Sequence, residues 1–236
     1  FYDTMGNILN KRGYDLGQKK DGNLVAIDKE GNELAIKNDF WESWGLAGKD
    51  SDPNIPVVNN LIDYSNEINS FIIATKDWHP LNHKSFAINS CKEISELGEL
   101  EGLPQVFWPI HCVQDTFGSE FHKDLSPIEN TIYKGQDFLV DPYSGFFDNG
   151  KIHKTDLDKT LKEKEIKTLY VVGLATDYCV KYSVIDALNL GYEVFLVEDA
   201  IKGVNLSEND SQNAINEMTT SGAKLIKSSD ILKRLP

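Results

Sequence analysis

From Ile55 onward the chain alternates short, wholly apolar runs with segments whose apolar residues recur at helical spacing. The runs are Phe71-Ile-Ile-Ala-Thr75, Thr131-Ile-Tyr133, Leu169-Tyr-Val-Val172, Glu193-Val-Phe-Leu-Val197 and Ala223-Lys-Leu-Ile226. Apolar runs of this length, bounded by polar residues, predict strands buried on both faces. Val57, Val58, Leu61, Ile62, Tyr64 and Ile68 predict a helix with Pro56 in its first turn. A second helix is expected behind Asp156 through Ile166, and a third from Asp177 to Leu190, carrying Val180, Val184, Ile185 and Leu188. A fourth holds Ala214, Ile215 and Met218, with Ser207 as its cap and Gly222 as its stop. Strand and helix in alternation predict an α/β fold, a mostly parallel sheet with helices on both faces, which binds ligands beyond the carboxyl ends of its strands.

Two stretches depart from this texture. Residues 1–54 are rich in Gly, Asn, Asp and Lys, and only Asp21 to Ile36 reads as structure, two short strands around a Lys-Glu-Gly-Asn turn. The segment from Ala87 to Asn130 has weak periodicity and contains Val106-Phe-Trp-Pro-Ile-His-Cys-Val113.

Composition narrows the picture. At 236 residues and 40% hydrophobic, one core suffices, and the whole chain is expected to be a single domain. A net charge of −13 repels phosphate backbones and anionic lipid, so neither nucleic acid nor a membrane is an expected partner. No apolar stretch is long enough to span a bilayer, and no leader pattern opens the chain. Three cysteines, at 91, 112 and 179, form no CxxC pair, which suits a reducing cytoplasm.

The residues able to do chemistry collect at the predicted strand ends. Cys179 lies on a turn from strand to helix, where the helix dipole and backbone N–H groups favour a thiolate, although a cysteine between Tyr178 and Val180 also suits a small buried hydrophobe. Asp77 and His79, with His83 and His111, offer a carboxylate and several imidazoles, a donor set for a divalent transition metal. Lys134 closes the second strand and would lower the thiol pKa if it faced Cys179.

Thr75-Lys-Asp-Trp-His-Pro-Leu-Asn-His-Lys-Ser-Phe86, Trp108-Pro-Ile-His-Cys-Val113 and Val172-Gly-Leu-Ala-Thr-Asp-Tyr-Cys-Val-Lys181 together resemble the nicotinamidases (pyrazinamidases) of the isochorismatase-like cysteine hydrolases. The resemblance runs over residues 55–230 and also takes in Tyr133-Lys-Gly and Tyr143-Ser-Gly-Phe146. It implies a three-layer α/β/α fold and hydrolysis of nicotinamide to nicotinate and ammonia in NAD salvage, through a thioester on Cys179 stabilised by Lys134. It further implies an oxyanion hole from the backbone of Ala175 and Cys179 behind a cis Leu174–Ala175 peptide. Trp108 and Tyr143 would wall the ring pocket. One divalent metal, zinc in preference to iron or manganese, would sit on Asp77, His79 and His111, with His83 a ligand in some members only. The alternatives are another amidohydrolase of the superfamily, acting on ureido or carbamoyl substrates, and a catalytically silent binding homologue. A homo-oligomer is left open.

One family feature is not intact, the acid/base aspartate at the end of the first strand. Ala35-Ile-Lys-Asn-Asp-Phe40 matches the end of that motif with Ala35 in the aspartate's place, and Leu24-Val-Ala-Ile-Asp28 supplies an aspartate without the residues that should follow. The third reading puts the strand and its aspartate upstream of Phe1. It fits the missing initiator Met and a strand count one below the family's, and it makes residues 2–44 an insertion.

Overall fold

The computed structural model describes residues 15–18, 24–27, 33–35 and 54–233. Five parallel strands form the centre: β4 (Ala74–Asp77), β7 (Thr131–Lys134), β8 (Thr168–Leu174), β9 (Glu193–Lys202) and β10 (Lys224–Ile226). They pair in two pieces, β10-β9-β8 and β4-β7. Alternation along the strands shows that both pieces lie in one layer. Phe71, Ile73, Leu169, Val171, Val194 and Leu196 pack into one cluster with Leu161, Val184 and Met218, which come from α3 (Leu157–Glu163), α4 (Lys181–Asn189) and α5 (Asp210–Thr220). The intervening Ile72, Val172 and Val197 pack on the other face with Val58 and Ile62 of α1 (Asn54–Glu67) and Ile231 of α6 (Ser228–Leu232). Period-two side chains facing helices on both sides make the expected three layers. Among the described residues, β4 and β8 each have one edge with no strand partner.

The first strand starts three residues later than its apolar run, because its ladder partner β7 begins at Thr131, opposite Ala74. Asp156 precedes α3 without a side-chain capping bond. Ser207 does not cap α5; its N–H instead donates to the Asp210 carboxylate at 2.7 Å and the helix starts at Asp210. The expected helix from Asp177 opens as one π-turn, Thr176–Val180, before α4 takes over.

The predicted hairpin is present as β2 (Leu24–Ile27) and β3 (Glu33–Ala35), with an additional strand β1 (Asp15–Gln18) antiparallel to β2. These three pair only with one another, so neither Leu24–Ile27 nor the strand ending at Ala35 takes a place in the parallel sheet. Asp28 and Lys37 to Phe40 lie outside the described residues.

The weakly periodic stretch holds short α2 (Ala87–Ser90) and a hairpin, β5 (Leu97–Leu100) and β6 (Leu103–Val106). Its two-residue turn, Glu101-Gly102, has φ of 51° and 75°, both in the left-handed region that such tight turns need. Among the described residues no helix is long and apolar enough to cross a membrane.

Candidate functional site

Parallel pairing of β4 and β7 puts Asp77 directly beside Lys134 at the carboxyl ends of their strands. Lys134 is 4% exposed, and its ammonium has an acceptor for each of its three hydrogens: Asp77 Oδ1 at 2.5 Å, the Pro142 carbonyl at 2.8 Å and Cys179 Sγ at 3.4 Å. Burial alone would strip its charge, but Asp77, Cys179 and Asp141 override it and push the lysine pKa up. Lys134 therefore stays an ammonium and connects a carboxylate to a sulfur.

Cys179 comes to Lys134 from β8 through the π-turn. The Leu174–Ala175 peptide before the turn is cis, as the resemblance implied. Asp177, itself buried, accepts from the N–H groups of Val204 (2.9 Å) and Asn205 (2.7 Å) and ties the turn to the segment after β9. The thiol does not follow the sequence expectation. Burial pushes its pKa up to about 11, with Asp77 and Asp141 adding to the rise and Lys134 only partly opposing it. The cysteine rests as a thiol facing an ammonium.

The histidines cluster beside Asp77. His79 is 1% exposed, with Nδ1 3.1 Å from the Gly135 carbonyl, and buried His111 has Nδ1 2.9 Å from the Pro109 carbonyl. A carbonyl only accepts, so each ring carries its hydrogen on Nδ1 and its lone pair on Nε2. Burial, the first cause in each case, lowers both pKa values and keeps both rings neutral. His79 Nε2 is 3.9 Å from Asp77 Oδ1, and the His79 and His111 ring centroids are 4.9 Å apart. Neutral imidazoles whose Nδ1–H is held by a carbonyl, next to a carboxylate, are suited to a divalent cation. Gly135 permits the arrangement: its φ is +78°, and a Cβ there would stand 2.4 Å from the His79 ring.

One cavity is lined by Asp77, His79, His111, Lys134, Cys179 and Ala175, together with Trp108 and Tyr143. These eight sequence-predicted site residues meet in it. His83 is not on its wall; the ring is fully buried behind His79, 4.5 Å away centroid to centroid. Trp108 Nε1 donates to the Tyr143 hydroxyl at 3.3 Å. Tyr178 was not anticipated, yet it packs edge-on against both rings, at 4.9 and 5.4 Å, and makes a third aromatic wall. Asp141 was also missed. It is buried, lines the cavity and accepts from Gln105 Nε2 at 2.8 Å. Burial raises its pKa, and the same burial, reinforced by Asp141, keeps the Tyr143 phenol neutral. An acid inside Phe138-Leu-Val-Asp-Pro142 was the only trace of Asp141 in the sequence.

The isochorismatase domain family matches residues 24–230. The chain belongs to this family. It is 46% identical over 197 residues to a nicotinamidase of Escherichia coli (strain K12), covering 83% of this chain and 92% of that one. Its fold superimposes on an Acinetobacter baumanii nicotinamidase/pyrazinamidase with a TM-score of 0.77 at 38% identity, covering 83% and 94% of the two chains. A pyrazinamidase of Pyrococcus horikoshii in complex with zinc matches with a TM-score of 0.61 at 36% identity, over 75% and 86%.

Proposed function

We propose that this isochorismatase-family chain hydrolyses nicotinamide to nicotinate and ammonia, with Cys179 as nucleophile. The observation that carries the reading is the Asp77–Lys134–Cys179 chain of contacts beside two neutral histidines, all in one aromatic-walled cavity. Relatives named nicotinamidase at high coverage support the same substrate.

The carboxamide lies between Trp108, Tyr143 and Tyr178 with its carbonyl carbon at Cys179. As the sulfur attacks, its proton leaves; Lys134, already fully donated, stabilises the sulfur's developing negative charge and cannot itself take that proton. The backbone N–H groups of Ala175 and Cys179 receive the carbonyl oxygen as it gains charge. The amide C–N bond then breaks, the proton lost by the thiol passes to the nitrogen, which leaves as ammonia, and a thioester remains on Cys179. Water adds to the thioester carbon, the C–S bond breaks, and nicotinate and the thiol are restored.

Asp77, His79 and His111 would hold one divalent metal, zinc in the first instance, and the donor set and the hydrogens on both Nδ1 atoms fit it. When bound, the ion supplies a Lewis acid for the pyridine nitrogen and so orients the ring.

The proton acceptor for Cys179 would be a carboxylate on a further strand; among the described residues β4 and β8 each keep an edge with no strand partner that such a strand could take. We place the reaction in the cytoplasm, as a step from nicotinamide toward NAD; all three cysteines are free thiols.

Ammonia release from nicotinamide, set against Cys179→Ala, tests the reading. Release that depends on the thiol supports it; equal release by both proteins contradicts it.

A further inference from the structure

His83 belongs to the histidine cluster but is wired the opposite way from its neighbours. Its Nδ1 lies 3.1 Å from the backbone nitrogen of Ser85 and 2.8 Å from the Ser85 hydroxyl. A backbone N–H can only donate, so Nδ1 must accept, and the hydrogen of the neutral ring resides on Nε2. Backbone groups of Val140 and Asp137 near the ring raise its pKa without offsetting burial, and Nε2 itself makes no hydrogen bond with either. His79 and His111 thus offer lone pairs from Nε2, whereas His83 offers a donor.

That donor is fully buried and has no hydrogen-bond partner among the described residues. Leaving a buried donor unmade costs about 1–3 kcal/mol, so the site is built for something that accepts from it. A ring nitrogen of His83, a ring nitrogen of His79 and a carboxylate oxygen of Asp141 lie within 4.8 Å of one another. Distance alone would group these three as a ligand set, but the direction of the Ser85 N–H removes His83 from it. No direct hydrogen bond joins His83 to Asp141, and such a gap between a donor and an acceptor suits one water. Asp141 is held from the other side by Gln105, whose amide also reaches the Val106 carbonyl at 2.5 Å and the Tyr143 hydroxyl at 3.3 Å. The acid therefore has a fixed orientation against both the cluster and the ring pocket.

We infer that His83 is a positioning residue and not a metal ligand: its Nε2–H and the Gln105-held Asp141 carboxylate together hold one water molecule beside Asp77, His79 and His111. The water accepts from His83 and donates to Asp141. The inference rests on the reading that Asp77, His79 and His111 are the metal ligands. It gives Asp141 and Gln105 a part in the site and explains why a third histidine is buried behind a wall it does not form.

The direct test needs no substitution. Long-range ¹H–¹⁵N correlation spectra of the metal-free wild-type protein should show His83 with its hydrogen on Nε2 and His79 and His111 with theirs on Nδ1; a His83 hydrogen on Nδ1 would overturn the inference. Zinc titration against a competing chelator gives the second test. His83→Gln puts an amide N–H near the Nε2 position without a good metal lone pair, so zinc affinity should stay within about tenfold of wild type, the lower end of what outer residues contribute. The visible spectrum of the cobalt-substituted protein should be unchanged. His79→Gln should lose zinc outright. If His83→Gln, folded by thermal melt, loses zinc as His79→Gln does, the inference fails alone. If wild-type protein takes up no zinc, the ligand set fails, and the inference with it.

Discussion

Asp77 and Lys134 are register partners on adjacent parallel strands, and their 2.5 Å ion pair joins the metal-ligand end of the cavity to the cysteine end. Among the described residues Lys134 has no alternative carboxylate in hydrogen-bonding contact, since its other two acceptors are a carbonyl and the Cys179 sulfur. Asp77→Asn should therefore leave a buried ammonium short of its counter-charge and destabilise the fold by about 3–5 kcal/mol. Asp77→Asn combined with Lys134→Met should be more stable than Asp77→Asn alone. Denaturant unfolding of the two variants checks this, with wild type as reference.

Lys134→Met alone should lower kcat by about 10²–10³, the range for losing one preorganised electrostatic contact to a reacting group. KM for nicotinamide should change much less, because Lys134 bonds the strand end and the sulfur and is not part of the aromatic walls. Steady-state ammonia release separates the two parameters.

With its pKa pushed up to about 11, Cys179 should be alkylated slowly by iodoacetamide at neutral pH, the rate rising through the alkaline range. A rate that levels off below pH 8 would contradict a resting thiol. The sign for stability follows from the same shift. The folded pKa lies above the usual value of 9, so this group costs nothing below about pH 9, and the fold loses stability as pH rises from there toward about 11.

Gly135→Ala should act through His79, whose ring stands where the new Cβ must go. The left-handed φ and the 2.4 Å approach predict a loss of about 1–3 kcal/mol and a fall in zinc affinity of about 10–100-fold. Gly102→Ala is the control, since φ there is also positive, at +75°, but nothing lies within 4 Å of the added Cβ. It should cost stability and leave zinc binding unchanged.

Asp177→Ala removes the acceptor of the Val204 and Asn205 N–H groups and should cost about 1–3 kcal/mol per orphaned donor that stays dry. Because the same side chain ties down the turn that carries Cys179, kcat should fall as well. Unfolding and ammonia release measured on one preparation report both effects.

The sequence carried the layer architecture because strands buried on two faces leave continuous apolar runs, and Phe71–Ile73, Val171–Val172 and Val194–Val197 do face both clusters. It also placed Cys179, Lys134, Asp77 and His79 at strand ends, whereas His111 joined them only through the motif resemblance. What it could not carry is pairing over long separations: the Asp77–Lys134 register joins residues 57 apart. The hairpin from Leu97 to Val106 escaped because its inward residues are few, although Glu101-Gly102 marks its turn. Tyr178 and Asp141 were hidden for a different reason, since only the packed cavity shows that both face the site. The charge state of Cys179 was misjudged because a helix start argues for thiolate locally, whereas burial and two carboxylates decide the balance. Ser85 stood inside the Thr75–Phe86 motif with no role of its own, yet its N–H fixes the hydrogen on His83.

The central claim is that nicotinamide is cleaved through a thioester on Cys179. Intact-protein and peptide mass spectrometry after acid quench of the enzyme turning over nicotinamide tests it most directly. The account predicts a nicotinoyl adduct on the peptide that carries Cys179, absent from Cys179→Ala, which should also release no ammonia. Ammonia release by Cys179→Ala at the wild-type rate, with no adduct on either protein, would contradict it.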